Sequence, residues 1–207
     1  GQAGRGAGPP GQRGSRGVGS LFGQVRPNRR FHEERKALEV AGVRLELVAA
    51  PGETEDQLYV WLPGRQVLFA GDNFYRSFPN IYPLRGVRRS AADWSRSLKK
   101  MLEEEPEFLV GGHTRPVLGR ANVEETLGNY QEAVQLVYDK TIDGMSRGMT
   151  PDELVEHVKL PQRLADKDYL ADYYGSVAFT VRAIYSQSVG WFDGNPTNIN
   201  PLPPREQ

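Results

Sequence analysis

From Val43 apolar and polar positions alternate with period two, placing Val43, Leu45 and Leu47 on one face and Arg44 and Glu46 on the other. That pattern predicts a half-buried strand. The strand ends at Ala50-Pro51-Gly52; a second alternating run, Leu58, Val60 and Leu62, reaches the turn Pro63-Gly64-Arg65, and a third, over 67–70, stops at Gly71-Asp72. The three are predicted to form an antiparallel meander. Over 90–105 the period becomes helical, with Ser90 as cap, Asp93 three residues on, one apolar stripe of Trp94, Leu98, Met101 and Leu102, and Pro106 as the stop. A short apolar strand over 108–110 then runs into Gly111-Gly112-His113. Strand, helix, strand is the crossover of an α/β layer, so this last strand is expected parallel to the third.

Beyond Gly119 the pattern is helical throughout. Asn122 is predicted to cap a long helix with Glu125 in the capping-box position, and Val123, Leu127, Tyr130, Val134, Val137 and Thr141 recur at alternating steps of four and three, flanked by Tyr138, Ile142 and Met145. Thr150-Pro151-Asp152-Glu153 is a helix start, with Leu154, Val155 and Val158 on its buried side. A last helix is predicted over 174–189, with Val177, Val181, Ile184 and Tyr185 on one face. The expected fold class is an α/β layer followed by an all-α helical region. Four segments are expected: 1–24, Gly/Arg-rich and disordered; 25–119, the α/β part; 120–195, the helical part; and 196–207, a linker or tail.

Composition narrows the chemistry. The 26 Lys and Arg balance the 26 Asp and Glu, so no global field draws in nucleic acid. Arg5, Arg13 and Arg16 sit between glycines without an interleaved aromatic for base stacking, and a flexible linker is the better reading than an RNA-binding arm. There is no cysteine, so disulfides and thiolate metal sites are excluded and carboxylate and imidazole are the strong metal ligands left. No apolar run approaches a membrane span, and no membrane insertion is expected. The chain begins with Gly1 rather than methionine, and an upstream portion is expected to be missing.

Strand directions bring three ionisable residues to one edge of the sheet: Glu53 after the first strand, Asp72 after the third and His113 after the parallel one. Ligands bind at the carboxyl edge of open α/β sheets, and two carboxylates with an imidazole suit Zn²⁺ or a similar divalent ion. The order Ala-Pro-Gly-Glu-Thr (50–54), Phe-Ala-Gly-Asp-Asn (69–73) and Gly-Gly-His-Thr-Arg-Pro (111–116) resembles the last three metal-binding motifs of the metallo-β-lactamase fold. Glutamate after Pro-Gly is similar to the alkylsulfatase branch in particular. That resemblance extends from about Val43 to the end, where Trp191-Phe192-Asp193-Gly194-Asn195-Pro196 looks like the close of the family's helical dimerisation domain.

The resemblance implies a partial αββα sandwich and a dinuclear zinc hydrolase of alkyl sulfate esters that forms a homodimer. It makes Glu53 a terminal ligand of one zinc, Asp72 the bridge, where branch members can carry glutamate, and His113 a ligand of the second. Asn80 and Arg85 match residues that hold the sulfate group, in keeping with an amide donor and a guanidinium fork on a tetrahedral oxyanion. Phe74, Phe78 and Tyr82 are candidates for an alkyl-chain entrance. Two near-tetrahedral ions sharing a hydroxide need about six protein ligands. The family's remaining ligands lie in a His-x-His-x-Asp-His motif that this sequence lacks. His32 and His157 are read as surface residues. The chain is therefore expected to be an incomplete, inactive portion of a hydrolase; the alternative is a non-catalytic homodimerisation module.

Overall fold

Ala41 and Gly42 both take positive φ, 51° and 76°, which matches the twist of a two-residue hairpin. The hairpin joins β1 (Arg35–Val40) to β2 (Val43–Ala49), and the antiparallel run continues through β3 (Leu58–Leu62) and β4 (Val67–Gly71). Helix α1 (Ala91–Glu103) crosses over to β5 (Phe108–Gly111), which lies parallel to β4, and the short β6 (Val117–Leu118) closes the sheet in the order β1-β2-β3-β4-β5-β6. The computed structural model describes residues 31–83, 88–200 and 202. The segment 1–24, Arg85 and most of the tail past 200 lie outside the described residues. Gly1–His32 and Glu33–Gln207 are separate units, and every described strand and helix belongs to the second.

Ser90 caps α1, accepting from the Asp93 amide at 3.2 Å, and Trp94, Leu98 and Met101 of the predicted stripe are fully buried. Helix α2 (Arg120–Ser146) buries Val123, Leu127, Tyr130, Val134, Val137 and Thr141 completely. Its start corrects the expectation for Asn122. The cap is Gly119, and the Asn122 amide instead donates to the Leu118 carbonyl at 2.9 Å, because the chain leaves β6 at φ 88°, a turn that glycine accepts without strain. Helix α3 (Pro151–His157) has the full Thr150/Glu153 capping box. The short α4 (Gln162–Ala165) and then α5 (Val177–Val189), capped by Ser176, complete the chain of helices. Sheet and helices share one core, in which Phe74 meets Tyr130 edge to face at 5.2 Å.

The orientation of β2 differs from the expected one. Glu46 and Val48 face the covered side, in a row Glu46-Trp61-Leu68 followed by Leu109 across the sheet, and Glu46 is only 8% exposed. Leu45 and Leu47 point the other way and stay half-buried, in line with Val60, Phe69 and Val110. Alternation alone could not choose the side. Glu46 is tolerated underneath because Arg35 donates to it at 2.6 Å and Arg44 at 2.8 Å, while the C-cap of α1, Glu104, takes the Tyr59 hydroxyl at 2.6 Å and pairs with Arg35.

Candidate functional site

Each of the three motif residues leaves the same end of the sheet. After β2 the chain turns through Pro51-Gly52 to Glu53, and the side chain of Asn73, wholly buried, holds the turn from below: its Nδ2 donates 2.7 Å to the Ala50 carbonyl and its Oδ1 accepts 3.0 Å from the Glu53 amide. A Cβ at Gly52 would lie 2.3 Å from that Oδ1, so the turn needs glycine. Trp94 of α1 donates its indole N–H to the Asn73 carbonyl at 2.9 Å, which ties the latch to the core. Past β5, a Cβ at Gly112 would come within 1.8 Å of Asp72 Oδ1. His113 then takes a left-handed φ of 53°, which costs a non-glycine residue about 1–3 kcal/mol and is the kind of strain concentrated at functional sites.

Glu53, Asp72 and His113 line one cavity of about 330 Å³, with Tyr75, Arg76, Ser77 and Tyr174 as its remaining walls. His113 Nε2 lies 3.4 Å from Asp72 Oδ1, and the imidazole is 82% exposed. Glu53 is set deeper, 14% exposed: its Oε1 pairs with Arg89, and its Oε2 is buried without a hydrogen-bond partner. Burial pushes the Glu53 carboxyl above its ordinary range; Arg89 pulls it back, Asp72 adds to the rise and His113 opposes it. Tyr75 and Tyr174 meet edge to face at 5.5 Å, and burial raises the Tyr75 phenol. A larger cavity of about 410 Å³, beside the start of α1, is lined by Thr54, Glu55, Asp93 and Gln187 among others and has no imidazole. Of the two, the smaller has two carboxylates and an imidazole in its lining.

The Asn80 backbone is fixed next to that cavity, its N–H donating 2.7 Å to the Tyr75 hydroxyl and its carbonyl accepting 2.5 Å from Arg89, but Asn80 is not one of the lining residues. Phe74 and Phe78 are fully buried core residues and line no entrance; Tyr82 is 40% exposed. His157 lies on the surface. Among the described residues no three His, Asp or Glu side chains close around one point in the way that holds a metal. The donor chemistry nonetheless fits a divalent cation, since two carboxylates and an imidazole share a cavity and one carboxylate oxygen lies buried with no partner. Sequence reasoning missed Arg89, Tyr75 and the latch role of Asn73. Only Asn73 left a signal, as the residue after Gly-Asp in the quoted motif.

The sequence model of the metallo-beta-lactamase superfamily matches residues 3–113, and that of the alkyl sulfatase dimerisation family matches 150–207. A linear primary-alkylsulfatase of Pseudomonas sp. (strain ATCC 19151) is 39% identical over 81% of the chain, and an (R)-specific secondary-alkylsulfatase of Pseudomonas sp. is 31% identical over 88%. The solved structure of the stereoselective inverting sec-alkylsulfatase Pisa1 from Pseudomonas sp. superposes with a TM-score of 0.82 at 31% identity, covering 88% of this chain and 30% of that one. The chain spans about a third or less of the curated relatives it matches, 32% and 28% of these two. A partial αββα layer, a helical region matched by the dimerisation model and these relatives agree: the chain belongs to the metallo-beta-lactamase superfamily, in its alkylsulfatase branch.

Proposed function

We propose that Glu53, Asp72 and His113 are one share of a two-zinc site, and that the complete protein hydrolyses alkyl sulfate esters. The observation that carries the reading is that all three line one cavity at the end of the sheet. In this reading Glu53 is a terminal ligand, Asp72 the bridging one and His113 a ligand of the second ion. Bound zinc would supply Lewis acidity, lowering the pKa of the attacking water and offsetting the charge of the sulfate group as the ester cleaves. The chain's own residues do the rest: Asn80 and Arg85 hold and orient the sulfate through an amide donor and a guanidinium fork, and the buried Tyr75 keeps water from the inner wall.

About six protein ligands serve such a pair, and this chain offers half of them. It is expected to bind Zn²⁺ weakly and to turn over nothing by itself. The test compares metal content and dodecyl sulfate hydrolysis of this chain with those of a longer chain carrying a His-x-His-x-Asp-His segment upstream. The longer chain should take up two zinc ions and release sulfate, and Glu53→Gln within it should abolish both; a longer chain that binds no metal ends the proposal.

A second reading, homodimerisation through the helical region, is supported by Trp191, 70% exposed, and Phe192, 38% exposed, inside the segment that the dimerisation model matches. Sedimentation equilibrium should give a dimer that Trp191→Ala weakens; a monomer at tens of micromolar would rule it out.

A further inference from the structure

Arg89 has no part in the motifs, yet it sits where three pieces of the site meet. Its side chain is only 13% exposed. One terminal nitrogen pairs with Glu53 Oε1, and the other donates 2.5 Å to the Asn80 carbonyl. From the side of α5, Gln187 holds the backbone: its amide donates 3.0 Å to the Arg89 carbonyl, while Arg88 donates 2.6 Å to the Gln187 carbonyl. The Asn80 amide is meanwhile fixed on the Tyr75 hydroxyl. The turn bearing Glu53 and the loop bearing Asn80 are thereby joined through one planar group, on a residue whose backbone carbonyl is fastened to a helix of the C-terminal region.

We propose that Arg89 is a positioning residue: by holding Glu53 through Oε1 and the Asn80 carbonyl through its other nitrogen, it leaves Glu53 Oε2 as the single oxygen offered to a cation. The role rests on the reading of Glu53 as a metal ligand. Oε2 is buried and has no hydrogen-bond partner, so it is an acceptor held ready rather than one already used. Fixing the far oxygen removes the carboxylate's freedom to swing or to chelate through both oxygens. Ligating carboxylates are commonly oriented by such an outer partner, whose loss costs about 10–100-fold in metal affinity. A lysine has the charge but one nitrogen on a flexible stem, and cannot serve Glu53 and Asn80 in one plane.

The test uses the full chain with Zn²⁺ alone, its affinity read by competition with a chromophoric chelator, and Co²⁺ absorption as a report of ligand geometry. Arg89→Met should lower Zn²⁺ affinity by about 10–100-fold, and Arg89→Lys should restore the charge without restoring the affinity or the Co²⁺ spectrum. Full rescue by lysine would mean that charge alone matters, and would overturn the proposal. Equal affinity in Arg89→Met would do the same, provided that Glu53→Gln lowers it. If neither Glu53→Gln nor the unaltered chain shows any Zn²⁺ dependence, the ligand reading fails and the positioning role falls with it; loss of affinity in Glu53→Gln but not in Arg89→Met overturns the positioning role alone.

Discussion

Glu46 and Glu53 sit on neighbouring stretches of one chain, one inside β2 and one in the turn after it; each is mostly buried and each has an arginine. Their carboxyls move in opposite directions. Both oxygens of Glu46 are taken, by Arg35 at 2.6 Å and Arg44 at 2.8 Å, and the Arg35 hydrogen bond, the largest influence, holds its carboxyl below the ordinary range against the pull of burial. Glu53 has one oxygen on Arg89 and one on nothing, and there burial wins. An ion pair that finishes the acceptor inventory of a carboxylate serves the fold. One that leaves an oxygen over, beside a second carboxylate and an imidazole, stores unsatisfied capacity at a cost in stability, which is what the proposed ligand role of Glu53 requires.

The comparison is broken most severely beneath the Glu53 turn. Asn73→Ala removes the partner of the Ala50 carbonyl and of the Glu53 amide at once, in a position with no exposure. Two orphaned backbone groups predict a loss of about 2–4 kcal/mol in urea unfolding. Glu53 would lose its fixed height above the sheet, so Zn²⁺ affinity should fall with stability. A stable variant with unchanged unfolding midpoint would show that the turn holds itself.

A smaller effect is expected at the satisfied carboxylate. Glu46→Gln should cost about 1–2 kcal/mol, since Arg35 and Arg44 are both partly exposed and water takes over part of their pairing. Its signature is the pH dependence. A carboxyl whose native pKa lies below its ordinary 4.5 contributes stability that is fully present above 4.5 and is lost as pH falls through the native value. Unfolding midpoints of the unaltered protein should therefore drop on acidification below 4.5, and Glu46→Gln should flatten that drop. Equal slopes for the two proteins would contradict the assignment.

Much of this layout is legible in the sequence, and the exceptions share a physical cause. Period-two runs at 43–47 and 58–62 and the apolar run at 67–70 become β2, β3 and β4, and the apolar stripes of α1 and α2 are buried as spaced, because both depend on neighbours a few positions away. Strand β1 escaped, since Arg35–Val40 alternates poorly and its Ala-Gly turn lacks the Asn or Asp that signals a two-residue hairpin. The covered face of β2 escaped because it is decided by Arg35 and by Glu104, 69 positions further on. Glu53, Asp72 and His113 were legible as an ordered set at strand ends. Arg89 was not, for its clip from Gln187 spans 98 positions and no local pattern announces it.

Arg163 and Glu132 make the mildest test of the same idea. Here α4 and α2 are bridged by two parallel guanidinium contacts, one of 2.8 Å, and Arg163 lowers the Glu132 carboxyl much as Arg35 lowers that of Glu46. The side chains are 58% and 41% exposed. Water solvates both charges when the pair opens, and holding two long side chains in one geometry offsets the Coulomb gain, so exposed pairs contribute little. Arg163→Ala should leave the urea midpoint where it is, at low and at high salt alike. A drop as large as that of Glu46→Gln would mean that pairing with arginine, rather than burial of the carboxylate, sets the worth of these contacts, and the contrast between Glu46 and Glu53 would then need another origin.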